Sequence, residues 1–184
     1  SEERRKFIDT IISQVDPQYL QHLIQYNRIL LQRNGLLKQF AETGRTDVTL
    51  LEVLDQQLIP PGEYIYTQRK IFLQAYIPVV KRKYEMIAGK AEGLDLIYQS
   101  PIQQQSLTEL LLLSRQRDIY AQRTTTGVHK DELDIRLGDQ PLKNTASQGQ
   151  RKSLLFALKL AEFSVLQSFK GFPPLLLLDD VFEK

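Results

Sequence analysis

The run Pro173-Pro174-Leu175-Leu176-Leu177-Leu178-Asp179-Asp180 constrains this chain more than any other stretch. Its four leucines are too few for a helix and are apolar on both faces. A strand of that kind has to be covered on both sides, as in parallel α/β sheets. Such sheets bind ligands at the carboxyl ends of their strands, which is where Asp179 and Asp180 fall. Adjacent carboxylates in such a place are costly unless something compensates them. A magnesium ion on nucleotide phosphates would do so for Asp179, through few protein ligands and several waters. Asp180 points elsewhere and would orient or deprotonate an attacking water. The alternative is a strand that ends in a solvated acidic turn.

A second signal lies upstream, in Ala146-Ser147-Gln148-Gly149-Gln150. Ser147 is a good helix N-cap, and Leu154, Leu158, Ala161 and Val165 give the helix after it one apolar face. The unpaired amides of a first helical turn, at the positive end of the helix dipole, suit phosphate oxygens. Gly149 permits close approach to the backbone, and Arg151 and Lys152 add positive charge. Alone, the pattern is more often that of an ordinary capped helix. No Gly-x-x-x-x-Gly-Lys-Ser/Thr segment occurs in the chain. The 184 residues by themselves are therefore not expected to hydrolyse ATP.

With 42% hydrophobic and 25% charged residues, the composition is that of an ordinary globular protein, with one core or one domain plus an arm. A net charge of +2, from 24 basic and 22 acidic residues, is too balanced to argue for nucleic acid on charge alone. The absence of Cys excludes a disulfide scaffold and a thiolate metal site, and fits a reducing compartment. Two His exclude a multi-histidine metal cluster. His129 reads as a hydrogen-bonded turn residue and His22 as a surface residue. No apolar run is long enough to cross a bilayer as a helix, and the opening residues are not expected to act as a signal peptide. The chain opens without Met on Ser1-Glu2-Glu3-Arg4-Arg5 and stops just past the aspartates, so it reads as a piece of a longer protein.

Along the chain, Phe7 to Gln39 is helical, broken at Asp16-Pro17, with Leu20, Leu23, Leu30 and Leu37 as its seam. Ile24 and Leu31 flank that seam, and Asn27 and Asn34 sit on it, either as polar residues that fix register between paired helices or, equally, as ordinary hydrogen-bonded helix residues. Thr43-Gly44-Arg45-Thr46 is a turn. A second helix runs from Asp47 to about Ile59, with Leu50, Leu51, Leu54 and Leu58. Pro60-Pro61-Gly62 is expected to interrupt it. A third runs from about Glu63 to Ala88, carrying Ile65, Phe72, Tyr76, Val79 and Val80, with Pro78 as a kink. Together these helices read as an antiparallel arm. Leu94 to Tyr98 is a strand, Ser106 to Gln122 a helix, and Leu133 to Leu137 the start of a hairpin turning at Gly138-Asp139. The short basic clusters Arg4-Arg5-Lys6, Arg69-Lys70, Lys81-Arg82-Lys83 and Arg115 with Arg117 are each more often solvated helix faces than DNA contacts. If several shared one side, they would track a phosphate backbone.

Five segments in this order resemble the RecF family, bacterial recombination and repair proteins among the ABC-type ATPases related to chromosome-maintenance proteins. They are Glu3-Arg4-Arg5-Lys6-Phe7-Ile8-Asp9; Tyr26-Asn27-Arg28 with Gln32-Arg33-Asn34 and Leu36-Leu37-Lys38; Gly127-Val128-His129-Lys130-Asp131-Glu132-Leu133; Ala146 to Gln150 continued by Leu158-Lys159-Leu160-Ala161-Glu162; and Leu176 to Val181. The third resembles the family's Gly-Pro-His-Arg-Asp-Asp-Leu segment, with Val128 for its Pro and Lys130 for its Arg. The fourth resembles the family's signature motif and the fifth its Walker B strand.

The resemblance implies an α/β fold, α+β in this piece: an antiparallel helical arm inserted in an ABC-type ATPase head of which only the C-terminal part is present. Residues 1–9 would leave an N-terminal head segment, 10–90 form the arm, 91–145 lead back, and 146–184 carry the signature helix and Walker B strand. It implies ATP and Mg2+ as cofactors of the whole protein. Ser147, Gln148, Gly149 and Gln150 would then contact the γ-phosphate of ATP held by a second subunit. Asp179 would hold magnesium through water, and Asp180 would stand where related ATPases place a catalytic glutamate. It further implies an ATP-dependent homodimer that clamps DNA at gaps and junctions, acting with RecO/RecR-type mediators in recombinational repair and the SOS response in the bacterial cytoplasm, at the nucleoid. The candidate DNA-facing residues are Arg4, Arg5, Arg69, Lys70, Lys81, Arg82 and Lys83. Two other readings stand beside this one: a helical scaffold without nucleotide chemistry, and another short-armed ATPase of the chromosome-maintenance group.

Overall fold

The computed structural model describes residues 1–170; Asp179, Asp180 and the leucine run before them lie outside the described residues. In chain order the elements are α1 (Glu2–Val15), α2 (Pro17–Thr43), α3 (Val48–Ala88), β1 (Leu94–Gln99), α4 (Leu107–Ala121), β2 (Glu132–Leu137), β3 (Gln140–Pro141), α5 (Leu142–Thr145) and α6 (Gln148–Lys170). Short 3-10 turns at Pro101–Gln103 and Val128–Lys130 complete them. The strands form one small sheet in the order β1-β2-β3. The described residues are thus mostly helical with a small antiparallel sheet, and they divide into two compact units.

The first unit comprises Ser1–Phe72 and Ile97–Asp134. Its helix ends follow from local chemistry. The Asp16 side chain accepts from Tyr19 N–H at 3.1 Å, Pro17 takes the first helical position, and Gly44 closes α2 in the left-handed region (φ 67). Ser106 and Glu109 cap α4 reciprocally.

Within this unit the leucine series makes up only part of the buried seam of α2. Tyr19, Tyr26, Arg33 and Phe40, at heptad spacing, are buried together with Ile29, Leu36 and Leu37. Leu20, Ile24 and Leu31 face solvent at 40%, 56% and 73% exposure. Leu37 of the leucine series is buried and Leu23 and Leu30 are half-buried, each one turn after a member of the aromatic and arginine series and so on the same face. Asn27 is exposed, so it sets no register. Asn34 Oδ1 accepts from Thr124 N–H at 2.7 Å and from Thr124 Oγ1 at 2.8 Å, and so holds a loop, not a helix pair. His22 is not a surface residue: it is half-buried and stacks on Tyr64 with ring centroids 4.2 Å apart.

Pro60-Pro61-Gly62 does not interrupt the helix. α3 runs unbroken for 41 residues through both this stretch and Pro78. Each interior proline removes a ladder bond at a cost of about 3 kcal/mol. The seam through the pair offsets that cost: Leu51, Leu58 and Ile65 are fully buried and Phe72 nearly so, each contributing about 1.5–3 kcal/mol. Gly62 lets the helix approach its neighbours. A Cβ there would lie 2.5 Å from Leu107 Cδ2 and 3.1 Å from Tyr26 Cε2. Leu36, Leu37, Phe40 and Leu51 form a core cluster at the α2–α3 turn, packed with Leu54 and Ile119.

The second unit comprises Leu73–Leu96 and the described chain from Ile135 onward. Tyr76, Val80 and Tyr84 of α3 are fully buried, and on α6 Leu154, Ala157, Ala161, Val165 and Leu166 are buried. Tyr76 donates its hydroxyl to the Leu158 carbonyl at 2.8 Å. The hairpin forms as expected, with Leu137 opposite Gln140 and Gly138 at φ 57.

Candidate functional site

Ser147 caps α6 in a reciprocal box. Its Oγ accepts from Gln150 N–H at 3.2 Å, while Gln150 Oε1 accepts from Ser147 N–H at 2.8 Å. Ser147, Gln148 and Gly149 are exposed and Gln150 is half-buried. A Cβ at Gly149 would meet nothing nearer than Ser147 Oγ at 3.9 Å, so the space above the first turn is open. Arg151 donates to the Lys143 carbonyl at 3.1 Å, and Lys152 is exposed. The helix start thus presents the Gln148 and Gly149 amides, which the capping box does not use, on an open face beside cationic side chains, a setting for an anion.

One neighbour of this turn was not visible in the sequence. Gln150 Nε2 donates to Glu92 Oε2 at 3.2 Å, and Tyr84 OH donates to the same oxygen at 2.5 Å. Nothing in the spacing of residues 84, 92 and 150 announces this contact, since it depends on how the turn after α3 folds back.

The basic residues divide by what they touch. Arg69 is only 3% exposed, and its guanidinium is taken up within the first unit. It meets Asp9 at 3.0 Å, Asp131 Oδ2 at 2.9 Å and the Val128 carbonyl at 2.7 Å. It cannot face DNA in this fold and leaves the set of DNA-facing candidates. Arg4 donates to the Leu133 carbonyl at 2.6 Å and Arg5 to the Asp131 carbonyl at 2.7 Å, both half-buried. Lys81 pairs with Asp95 at 2.6 Å. Lys70 and Arg82 are exposed, and Lys83 is half-buried.

The segment from Gly127 to Leu133 fastens the first unit. Tyr19 and Tyr98 hydroxyls donate to Asp9 and Asp131 around Arg69. Burial pushes the Asp131 carboxyl up, against the pull of Arg69. Gly127 has φ 120, a glycine conformation, and a Cβ there would strike Tyr26 Oη at 2.5 Å. Tyr26 instead bonds His129 Nδ1 at 2.8 Å. A second buried arginine, Arg33, meets Asp55 at 2.6 Å, Asp118 at 2.8 Å and Thr124 at 2.8 Å. Among the described residues, no group of three or more His, Cys, Asp or Glu could hold a metal ion. No helix among them is long and apolar enough to cross a membrane.

Fold and site together define a mostly helical α+β chain with a small antiparallel sheet and an open, Ser-capped helix start. All of it aligns with DNA replication and repair protein RecF of Flavobacterium johnsoniae, at 42% identity over 51% of that protein. It aligns equally with RecF of Parabacteroides distasonis, at 45% identity over 49% of that protein. A solved structure described as the recombination mediator protein RecF-ATP in the RecFOR pathway superposes with a TM-score of 0.87 at 31% identity. That match covers 97% of this chain and 50% of the other. No family model matches. The chain belongs to the RecF family, and it spans about half the length of the curated relatives it matches.

Proposed function

We propose that this chain supplies the arm and the C-terminal head portion of a RecF-type protein that binds ATP, dimerises on it and clamps DNA during recombinational repair. The observation that carries this is the Ser147–Gln150 box, open at Gln148 and Gly149, in a chain aligned end to end with RecF. The turn fits a phosphate: its Gln148 and Gly149 amides lie outside the capping box, its face is open, and Arg151 and Lys152 lie in the same turn. Ser147 Oγ, the Gln148 and Gly149 amides and the Gln150 side chain would hold the γ-phosphate of the partner's ATP. Asp179 would hold Mg2+ through water, and Asp180 would orient the attacking water.

Preferential binding of ATP to the dimer shifts monomers toward the dimer by linkage, and hydrolysis releases the clamp. The division at residues 9, 90 and 145 belongs to the same proposal. So do gapped DNA, RecO/RecR-type partners, the SOS response and a bacterial cytoplasmic setting. Lys70, Arg82 and Lys83 are the DNA-facing candidates without an ion-pair partner among the described residues, with Arg4, Arg5 and Lys81 already engaged.

Ser147→Arg, in a RecF polypeptide of full family length carrying this chain, tests the proposal. ATP binding by the monomer is expected to stay near wild type while ATP-driven dimerisation is lost. Sedimentation velocity with and without ATP reads both states, and unchanged dimerisation rejects the contact in trans.

A further inference from the structure

The turn that leads from α3 to β1 carries one carboxylate to the α6 start. Gly89 (φ 70) and Gly93 (φ 67) bound this turn in the left-handed region, with Glu92 between them. Gly93 also accepts from Gly138 N–H at 2.9 Å, which ties the turn to the tip of the β2–β3 hairpin. The Glu92 side chain is 11% exposed, and Lys90 Nζ lies 3.0 Å from its Oε1. Its Oε2 receives Tyr84 OH at 2.5 Å and Gln150 Nε2 at 3.2 Å. Tyr84 is itself fully buried, so this oxygen is anchored to the packed end of α3. The bond from Tyr84, then that from Lys90, holds the Glu92 carboxyl below the usual range, and it stays an anion at neutral pH.

Gln150 is therefore gripped at both ends of its side-chain amide. Its oxygen accepts from Ser147 N–H and its nitrogen donates to Glu92. A terminal amide is otherwise close to freely rotating, with two faces of similar energy. Held at both ends, it keeps one orientation, and the capping box stays closed without a ligand.

We propose that Glu92 is a positioning residue for the Ser147–Gln150 turn, fixing the Gln150 amide so that Ser147, Gln148 and Gly149 are already set for a phosphate presented by a second subunit. Glu92 does not touch the phosphate. It removes the ordering cost that a loose turn would meet on association. Lys90, against the other carboxylate oxygen, offsets the negative charge that Glu92 brings near an anion site. The role rests on the reading of Ser147–Gln150 under Proposed function.

The test uses a RecF polypeptide of full family length carrying this chain, with Glu92→Ala, Glu92→Gln, Glu92→Asp and Ser147→Arg. ATP-driven dimerisation is followed by sedimentation velocity, monomer ATP binding by a fluorescent ATP analogue, and the Gln150 side-chain amide by nitrogen-15 NMR. Glu92→Ala is expected to weaken dimerisation about tenfold, the loss of one charge-assisted hydrogen bond, with monomer ATP affinity unchanged. Its Gln150 amide signals should move to the position of a free glutamine. Glu92→Gln keeps an acceptor oxygen at the same reach and should restore most of the loss. Glu92→Asp keeps the charge but not the reach, so it should weaken dimerisation, and it serves if the alanine variant does not fold. Dimerisation unchanged or tightened in Glu92→Ala or Glu92→Asp, with Ser147→Arg still blocking it, overturns the role of Glu92 and leaves the turn's role standing. Dimerisation unaffected by Ser147→Arg overturns the reading of the turn, and this proposal with it.

Discussion

His129 is fixed as a neutral ring by two bonds of opposite sense. The Thr124 carbonyl, 3.2 Å from Nε2, can only accept, so Nε2 carries the proton and Nδ1 accepts from Tyr26 OH. Burial first, then the nearby Lys130 and Arg5, lowers its pKa from 6.5 to about 4. An unfolded chain takes up this proton below pH 6.5, while the folded ring refuses it down to about pH 4. Stability from this residue is whole above the unfolded value and falls as the pH drops through that window. Between pH 7 and pH 5 the loss is about 2 kcal/mol. The Asp55 and Asp131 carboxyls, raised by burial, act in the opposite sense, because the folded state takes up their protons first. Comparison with His129→Gln separates the two: urea melts should show a smaller loss between pH 7 and pH 5 in the variant, and equal losses would remove His129 from the account. That His129 would be a hydrogen-bonded turn residue was legible from the segment around it. That Tyr26, 103 positions away, would be its partner was not.

At the scale of the element, the two long helices are seamed by charge as well as by apolar surface. Arg33 on α2 and Asp55 and Arg69 on α3 occupy buried seam positions where a hydrophobicity count expects leucine. Hence Leu23, Leu30 and Leu37 pointed to the packed face while Leu20 is exposed, and the aromatic and arginine series on that same face went unread. The cap at Ser147, the break at Asp16-Pro17 and the turn at Gly44 were legible because each is a local matter of a few consecutive residues. The proline pair misled because its cost is local while the burial that offsets it is not. Arg69→Leu should destabilise the first unit by about 3–5 kcal/mol, since it leaves Asp9 and Asp131 buried without their cation. A urea-melt difference under about 1 kcal/mol would show that the two carboxyls simply take up protons and the seam closes over them.

For the molecule as a whole, five ordered segments in the sequence were enough to point to the RecF family, and the alignments bear that out over the whole chain. The Ser147–Gln150 capping box lies within a few consecutive residues. Glu92 and the Arg69 network were not legible, because each is assembled across long stretches of chain. Asp9 lies 60 positions before Arg69, and Asp131 lies 62 after it. Closing loops of that length grows only slowly in entropic cost with length, but neither carboxylate substitutes for the other. A chain ending at residue 121 keeps α1, α2, α3 and α4 yet lacks Asp131, so it should lose cooperative unfolding, as read by circular dichroism in urea. A sharp transition in that truncation would show the helices sufficient by themselves. During synthesis the same geometry sets a schedule. Three helices emerge with a cation and a carboxylate only partly matched in their seam, and they wait for the residues beyond α4. The first unit is therefore finished late and all at once, not helix by helix as it leaves the ribosome.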